Sequence, residues 1–516
     1  MANQLKKKGK MSFGPIAGGI LMGLLLAVAI STLTSQAQEI TILHTNDIHG
    51  SYLSREADWR DDRPLVGGME ALAGEVRATR ADVENLLLLD GGDVMTGHPI
   101  CDLVVDDVHG GGLIKIMNAL QYDAMTLGNH DLDISQENVH GLEALADFPF
   151  LCCNLVYEDG RGFLGKACVI KRVGKLRVGI IGVITEFLAG VVQKKNIEGL
   201  KILDPLEQVQ ALADSLDSET DLIILLSHMG VEADRELAAK IKNVDVIVGG
   251  HSHTRIKEPE VVGDVLIVQA GGRLTQVGRL DLTVKHDRVV AYKGRLIDLW
   301  IEGMEPQEDI RRMVQGYEEA IGETFGEVLG ELKVAWTRDH YSESNLGDWV
   351  SDILRVAGAG DFAVMNSGGL RKDMPPGPIH RLDIYEILPF DNEACRFTCT
   401  GEELMTMIRH NAQGQAFQTS GILQVSGLSY SFRSTADGGV EIINAMVNGK
   451  PIKPKQTYTG ISVDFVVISQ AENYLRFKPS NVVNLGYKLN ELAVQAVRDA
   501  GILGEDVQGR MQQLTP

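Results

Sequence analysis

At 516 residues the chain is too long for one ordinary hydrophobic core, and at about 150 residues per domain its length predicts several domains. Its formal charge of -21 at pH 7 repels polyanions from the surface as a whole, which argues against a nucleic acid polymer as partner. Six irregularly spaced cysteines are too few for a disulfide-built scaffold in so long a chain, and no zinc-finger spacing occurs.

Residues 1–37 have the pattern of a secretory signal peptide. Four lysines precede an apolar run at residues 16–30, and Ser35-Gln-Ala37 offers small residues for cleavage. We therefore expect an exported protein, periplasmic or extracellular, with a formal charge of -25 and no membrane span after cleavage. The alternative is an uncleaved anchor, although the apolar run is short for a span and contains three glycines.

The first predicted strand, residues 39–44, leads into His44-Thr-Asn-Asp-Ile-His-Gly50. Asp47 and His49 stand two residues apart, so in extended backbone both side chains point the same way and can hold one cation. This spacing alone is weak evidence for a metal site.

A predicted helix at residues 67–80 and a leucine-rich strand at residues 85–89 follow, and the strand ends in Asp90-Gly-Gly-Asp93. Glycines beside Asp93 allow close backbone approach, and a carboxylate at such a position can bridge two metal ions.

A predicted helix at residues 113–120 and a strand near Ala124 precede Thr126-Leu-Gly-Asn-His-Asp-Leu-Asp133. This segment puts an amide, an imidazole and two carboxylates within five residues, at Asn129, His130, Asp131 and Asp133. Such density suggests catalysis, whereas the alternative is a loop whose polar residues cap the next helix. Asp131 is the residue expected to serve as that cap.

Further strands are predicted at residues 148–154, 177–183, 222–226 and 244–248, alternating with helices. His228 follows the third of them, and His251 and His253 follow the fourth. A single histidine at such a position is more often a hydrogen-bonded loop residue than a ligand. Five polar clusters, all at the carboxyl ends of strands, indicate a functional site, because open α/β sheets assemble their sites at that edge.

The ordered motifs resemble the signature of the calcineurin-like metallophosphoesterases, in particular the 5'-nucleotidase and UDP-sugar hydrolase branch. The motifs that carry this resemblance are His44-Thr-Asn-Asp-Ile-His-Gly50, Gly92-Asp93, Gly128-Asn-His-Asp-Leu-Asp133, Ser227-His228 and Gly249-Gly-His-Ser-His253. The resemblance implies an α/β fold, namely a four-layer αββα sandwich with a dinuclear metal site. It places Asp47, His49 and His253 on one ion and Asn129, His228 and His251 on the other, with Asp93 as the bridge.

The expected cofactors are two divalent transition-metal ions, because mixed nitrogen and carboxylate ligands suit zinc, manganese or iron better than calcium. By resemblance, these ions acidify a shared water to hydroxide, which attacks a phosphoryl group in line. The resemblance also implies that His130 stabilises the transition state and assists the leaving oxygen while Asp133 orients its ring.

The metal motifs stop near Thr283, which predicts a catalytic domain at residues 38–304, a connecting helix at 305–326 and a second domain at 327–516. The last part resembles the smaller, mixed α/β C-terminal 5'-nucleotidase domain. The likeness rests on Glu343-Ser-Asn-Leu-Gly347, Asn366-Ser-Gly-Gly-Leu-Arg371 and Leu388-Pro-Phe390. It implies a domain that binds substrate and rotates over the metals, with Asn366, Arg371 and Phe465 as substrate contacts.

Three positions depart from the family's nucleotide-binding pattern. Ser342 replaces an arginine, Ile422 replaces one of two stacking aromatics, and residues 468–473 replace a Gly-Gly-Asp-Gly turn. The sequence thus predicts an exported phosphohydrolase that acts on a small phosphomonoester, either a nucleotide or a related organic phosphate. The alternatives are a hydrolase of cyclic nucleotides, of nucleotide-sugar pyrophosphates or of thiosulfohydrolase-type substrates, and a non-catalytic exported metal-binding protein.

Overall fold

The computed structural model describes residues 37–57, 59–390 and 392–514. The predicted signal peptide lies outside the described residues, except for Ala37. Within the described ranges, no helix is both long enough and apolar enough to cross a bilayer. The six cysteines, all of them described, are free thiols.

The described residues of the first half form eighteen strands, most of them in two large sheets. In chain order they are β1 (Gln38–Thr45), β2 (Arg55–Glu56), β3 (Leu65–Val66), β4 (Leu86–Asp90), β5 (Val104–Val105), β6 (Val108–His109), β7 (Ala124–Thr126), β8 (Phe150–Leu151), β9 (Leu155–Tyr157), β10 (Cys168–Val173), β11 (Leu176–Ile184), β12 (Leu200–Ile202), β13 (Leu222–His228), β14 (Val246–Gly249), β15 (Glu260–Val262), β16 (Val265–Val268), β17 (Gln276–Val284) and β18 (Val289–Asp298).

Seven α-helices accompany these strands in the same described part of the chain. They are α1 (Gly68–Asp82), α2 (Gly111–Ala119), α3 (Gln136–Leu145), α4 (Leu188–Val191), α5 (Pro205–Asp217), α6 (Val231–Ala238) and α7 (Glu308–Phe325). The long predicted helices and the buried strands therefore occur within a few residues of their expected positions, whereas the strand expected at 148–154 is reduced to two residues, Phe150 and Leu151.

Two six-stranded sheets pack face to face. The first has the order β18-β17-β1-β4-β7-β8 and the second β10-β11-β13-β14-β16-β15. Four neighbouring strands are parallel in each sheet. They are β1, β4, β7 and β8 in the first sheet and β11, β13, β14 and β16 in the second. Because parallel strands end at a common edge, the loops after β1, β4, β7, β13 and β14 gather there.

Three apolar clusters define the layers of this unit. One fills the space between the two sheets and includes Ile42 and Leu89 from the first sheet and Ile224 from the second. A second cluster joins the outer face of the first sheet to its helices, and a third does the same for the second sheet. The αββα sandwich expected from the sequence is therefore confirmed.

The second half has a single core of its own. Its strands are β19 (Val328–Leu332), β20 (Phe362–Asn366), β21 (Gly377–His380), β22 (Glu393–Thr400), β23 (Leu423–Ser426), β24 (Leu428–Ser434), β25 (Val440–Val447), β26 (Lys450–Pro451), β27 (Thr457–Val463), β28 (Ser480–Lys488), β29 (Ile502–Leu503) and β30 (Met511–Gln513). Its helices are α8 (Asn345–Gly358), α9 (Arg381–Ile387), α10 (Gly401–Phe417), α11 (Ala471–Tyr474) and α12 (Leu489–Ala500). The main sheet has the order β23-β20-β27-β22-β28, so this half is mixed α/β, as expected.

Helix α7 lies between the halves and packs on the first. Its apolar residues Ile310, Val314 and Ile321 are buried in the core that also contains α1 and α2. Because one face of α7 is fixed in this way, movement between the halves has to be absorbed after its last residue, Phe325. The three domain boundaries drawn from the sequence remain a prediction.

Candidate dinuclear metal centre and active site

The seven predicted metal ligands come together at the carboxyl ends of the central strands. Two groups of potential ligand atoms form there, each with its atoms within 4.8 Å of one another. The first group is Asp47, His49 and His253, and the second is Asp93, His228 and His251. Asn129 adjoins the second group, because its Oδ1 lies 2.8 Å from Nδ1 of His251.

The first group is arranged like the ligands of one ion. Nδ1 of His49 lies 3.1 Å from the carbonyl oxygen of Met95 and 3.0 Å from that of Thr96, so its N–H donates there and Nε2 is free to bind metal. Nε2 of His49 is 3.1 Å from Nε2 of His253. Two nitrogens bound tetrahedrally at about 2.1 Å stand about 3.4 Å apart, so this spacing fits a common ion.

The second group shows the same preparation of a ligand. His228 donates from Nδ1 to the carbonyl oxygen of Gly91 at 2.7 Å. Its Nε2 is buried without a hydrogen-bond partner and lies 3.0 Å from the Asp93 carboxylate. A buried nitrogen that no donor or acceptor satisfies is costly, whereas a metal ion would use it as a ligand. The residues present therefore fit two divalent ions.

Five of the seven predicted ligands have left-handed backbone, although none is a glycine. Their φ angles are 50° at Asp47, 49° at His49, 60° at Asp93, 72° at His251 and 52° at His253. This conformation costs on the order of 1–3 kcal/mol per residue and tends to cluster at functional sites. The loops therefore adopt a strained backbone conformation that directs these side chains toward one another.

Gly128 is required by the close approach of two ligand loops. A Cβ at this position would lie 2.2 Å from both the backbone nitrogen and Oδ1 of Asp93. Any larger residue would therefore displace the bridging carboxylate that the sequence predicts.

Burial and neighbouring charges together set the charge states of these ligands before any ion binds. The effect of burial dominates at three of them. It raises the pKa of the Asp47 carboxyl to about 7 and lowers the pKa of His251 to about 4 and of His253 to about 3. Burial also opposes ionisation of Asp93, but the neighbouring His228 and His130 hold its pKa well below the ordinary value. His251 and His253 are thus neutral at pH 7, which is the ligand form of imidazole.

His130 and Asp133 form a hydrogen-bonded pair beside these groups. Nδ1 of His130 lies 2.7 Å from Oδ2 of Asp133, which also accepts a 2.7 Å bond from the Thr96 hydroxyl. Burial lowers the pKa of His130, but the negative charges of Asp133 and Asp93 outweigh it and raise the pKa above its ordinary value. The pair can therefore present a protonated ring to a substrate oxygen.

Asp131 does not cap the following helix, contrary to the sequence-based expectation. Ser135 caps α3 by accepting from the Asn138 backbone. The buried Asp131 carboxylate instead accepts from the backbone N–H groups of Gly128, Asp93, Val94 and Met95, at 2.8–3.2 Å. It thereby ties the loop after β4 to the loop after β7, a contact across the sheet that sequence pattern does not reveal.

A cavity of about 310 Å³ connects the metal-ligand groups to the second half of the chain. Asn366, Arg371 and Phe465, the predicted substrate contacts, all line it together with His130 and Asp133. Phe390 also lines the cavity and contacts both His130 and Arg371. Its ring stacks on the imidazole of His130, and the centre of the ring is 5.7 Å from the guanidinium carbon of Arg371. Arg371 thus shares a wall with the hydrolytic residues.

Sequence reasoning missed the second aromatic of this cavity. Ile422 is only 1% exposed and belongs to the core of the second half, so it is not a wall residue. Tyr474, which belongs to none of the sequence motifs, lines the cavity beside Phe465. Their rings are 6.4 Å apart and tilted by 59°, so they do not form the parallel slot that would sandwich a flat base.

The segment that replaces the Gly-Gly-Asp-Gly turn contacts the first half. Gln470 donates from Nε2 to the carbonyl oxygen of Ala189 at 2.5 Å, and the Ser469 hydroxyl accepts from the Lys194 backbone at 3.3 Å. Gly190 and Val191, which belong to α4 together with Ala189, line the cavity. The departure from the family pattern therefore serves a contact between the halves.

Comparison with known proteins agrees with this geometry. Residues 40–255 match the calcineurin-like phosphoesterase family, and residues 325–478 match the 5'-nucleotidase C-terminal domain. A 5'-nucleotidase of Vibrio cholerae is 27% identical over 87% of this chain and 89% of its own length. Endonuclease YhcR of Bacillus subtilis is 27% identical over 84% of this chain, which spans only 37% of that relative. The crystal structure of a 5'-nucleotidase precursor from Thermus thermophilus superposes with a TM-score of 0.82 at 26% identity, covering 93% of this chain and all of that one.

The sandwich, the paired ligand groups at its strand ends and these matches define a calcineurin-like metallophosphoesterase. With its matching C-terminal domain, the chain belongs to the 5'-nucleotidase family of these enzymes and is a metal-dependent phosphoric ester hydrolase.

Proposed function

We propose that the protein is an exported dimetal phosphohydrolase that removes phosphate from a small phosphomonoester, either a nucleotide or a related organic phosphate. The observation that carries this proposal is a single cavity lined by members of both ligand groups, by the His130–Asp133 pair and by Arg371. Hydrolysis of a phosphate ester uses all three features. Metal ions neutralise the charge of the phosphoryl oxygens, an acid protonates the leaving oxygen, and a cation fixes the orientation of the phosphate.

Asp47, His49 and His253 would hold one ion, and Asn129, His228 and His251 the other, with Asp93 between them. When bound, the two ions supply Lewis-acid activation of water and neutralise the phosphoryl charge. The second-half domain contributes Arg371, whose guanidinium can donate two parallel hydrogen bonds to phosphoryl oxygens.

His130 supplies the proton. Its Nδ1 is committed to Asp133, so Nε2 is the nitrogen available to a substrate oxygen. A proton given from Nε2 to the departing oxygen would neutralise the alkoxide as the phosphorus–oxygen bond breaks, and Asp133 would stabilise the ring while it is charged. Asn366 adds a buried Oδ1 without a hydrogen-bond partner, which can accept from a hydroxyl or amino group of the substrate.

The test is metal analysis combined with turnover of p-nitrophenyl phosphate by the mature chain. About two transition-metal ions per chain are expected, because the proposed mechanism uses two ions. Asp93→Ala should lose metal and activity together, whereas Asp147→Ala, a change at an exposed carboxylate, should keep both. Unchanged metal content and turnover in Asp93→Ala would refute the proposal. Activity at the metal-free background with every phosphate ester would favour a metal-binding protein without catalysis.

A further inference from the structure

Arg273 lies beside the predicted metal centre, and the sequence motifs do not single it out. Its backbone N–H donates to the carbonyl oxygen of Asp47 at 2.7 Å. The preceding Gly272 packs so closely on His253 that a Cβ there would lie 2.9 Å from the imidazole Nδ1. The backbone of Arg273 is therefore fixed relative to the first group of ligands.

The side chain of Arg273 reaches across to the second half. Its Nη2 donates to the backbone carbonyl oxygen of Arg371 at 3.1 Å. Two guanidinium-bearing residues, one from each half, are thus joined by this hydrogen bond, and Arg371 also lines the cavity.

These two arginines have no ionic partner among the residues that the structure describes. No described carboxylate lies within 4 Å of either guanidinium. Glu386, the acid nearest in electrostatic effect to Arg273, is already bound to Lys372. Burial, followed by repulsion from Arg371, lowers the pKa of Arg273 to about 10.

Two partly buried cations without a carboxylate form an unfavourable arrangement that an anion would relieve. Arg338 and Arg55 are further cations that act on Arg273, so positive charge predominates here although the chain as a whole has a formal charge of -21. A guanidinium group is well suited to a phosphoryl or carboxylate group, since it can donate two parallel hydrogen bonds to the oxygens of either.

We propose that Arg273, together with Arg371, binds a second anionic group of the substrate, so that the protein prefers phosphate esters that carry another phosphoryl or carboxylate group near the scissile phosphate. This inference rests on the proposed function, because it assigns the substrate class of the same site. Arg273 is a specificity residue here and takes no part in proton transfer.

The kinetic experiment compares substrates that differ in the second anion, using the full metal-loaded chain. The pairs are a nucleoside diphosphate against its monophosphate and phosphoglycolate against ethyl phosphate. In Arg273→Gln, kcat/KM should fall at least tenfold for the member of each pair that has two anionic groups, mainly because KM rises. For the member with one anionic group it should fall less than twofold. Arg273→Lys, which retains the charge, should recover part of the loss.

Arg433→Gln is the matched control, because Arg433 is exposed on β24 and does not line the cavity. It should change each value less than twofold. A selective loss with the diphosphate alone assigns the site to a phosphoryl group, and one with phosphoglycolate alone assigns it to a carboxylate. An equal loss of kcat/KM with all four substrates overturns the inference. So does an unchanged kcat/KM with both substrates that have two anionic groups.

A binding measurement separates this inference from the proposed function. By calorimetry, the wild-type chain should bind methylenediphosphonate at least tenfold more tightly than methylphosphonate, and Arg273→Gln should lose that preference while its thermal unfolding is unchanged. If wild type hydrolyses no ester but Arg273→Gln still removes this preference, the proposed function fails and the anion site stands. If the preference is absent from wild type, or if Arg273→Gln keeps it, the anion site fails.

Discussion

The imidazole of His130 and the ring of Phe390 stack with centroids 5.7 Å apart and 29° between their planes. The two residues belong to different halves of the chain, so this contact exists only when the second half lies over the predicted metal centre. The guanidinium carbon of Arg371 also lies over the Phe390 ring, 5.7 Å from its centre. One aromatic side chain thus contacts both the proposed proton donor and the proposed phosphate-binding cation.

Phe390→Leu should disturb both neighbours at once. The lost ring contacts are worth on the order of 0.5–1.5 kcal/mol each, so we expect kcat to fall and KM to rise, each by about three- to tenfold. Metal content should not change, because Phe390 is not a predicted ligand. Steady-state kinetics with p-nitrophenyl phosphate and metal analysis check this. Phe187→Leu, at a ring that is 71% exposed, is the control, and loss of metal from Phe390→Leu would contradict the assignment.

Arg371→Ala and His130→Ala should separate binding from turnover. Loss of Arg371 removes a charge-assisted bond worth roughly 1.5–3 kcal/mol, so KM should rise about ten- to a hundredfold while metal binding persists. Loss of His130 removes the acid, so kcat should fall about 10²- to 10⁴-fold with little change in KM. Kinetics of both variants on one ester are the measurement. The same defect in both would refute the division of labour between the halves.

Asp131→Ala should destabilise the fold and weaken metal binding together. Four backbone N–H groups lose their acceptor, and each unsatisfied buried donor costs about 1–3 kcal/mol. Asp131→Asn keeps one oxygen acceptor and should lose less. Denaturant unfolding of chelator-treated protein measures the fold alone, and zinc titration measures the site. Normal stability in Asp131→Ala would show that water replaces the carboxylate.

Gln470→Ala should loosen the contact between the halves. One hydrogen bond to the Ala189 carbonyl is lost, worth about 0.5–1.5 kcal/mol, so KM should rise up to about tenfold while the metal content is kept. Kinetics and small-angle scattering, which should report a larger average radius, are the measurements. Glu472→Ala, at an exposed residue of the same segment, is the control. Unchanged kinetics and radius would show that the contact does not hold the halves together.

The sequence by itself determined the fold class and the predicted metal-ligand set. Each predicted ligand lies at or soon after the end of a strand, and parallel strands end at one edge, so local pattern indicated that Asp47, Asp93, His228 and His253 lie close together, as they do. Their assignment as metal ligands came from the family resemblance. The family resemblance assigned His130 to Asp133, a pair only three residues apart, and the structure places them in hydrogen-bond contact. The assigned roles remain predictions.

Only the tertiary structure decided the contacts between residues far apart in the chain. Asp131 bonds backbone groups more than thirty positions away, Gln470 reaches Ala189 across 281 positions and Arg273 reaches Arg371 across 98. No periodicity or motif encodes such pairs, because they arise from how the two halves pack and from loops whose course local propensity does not set. For the same reason the sequence identified Phe465 but not Tyr474, which enters the cavity only because the segment before it folds back on the first half.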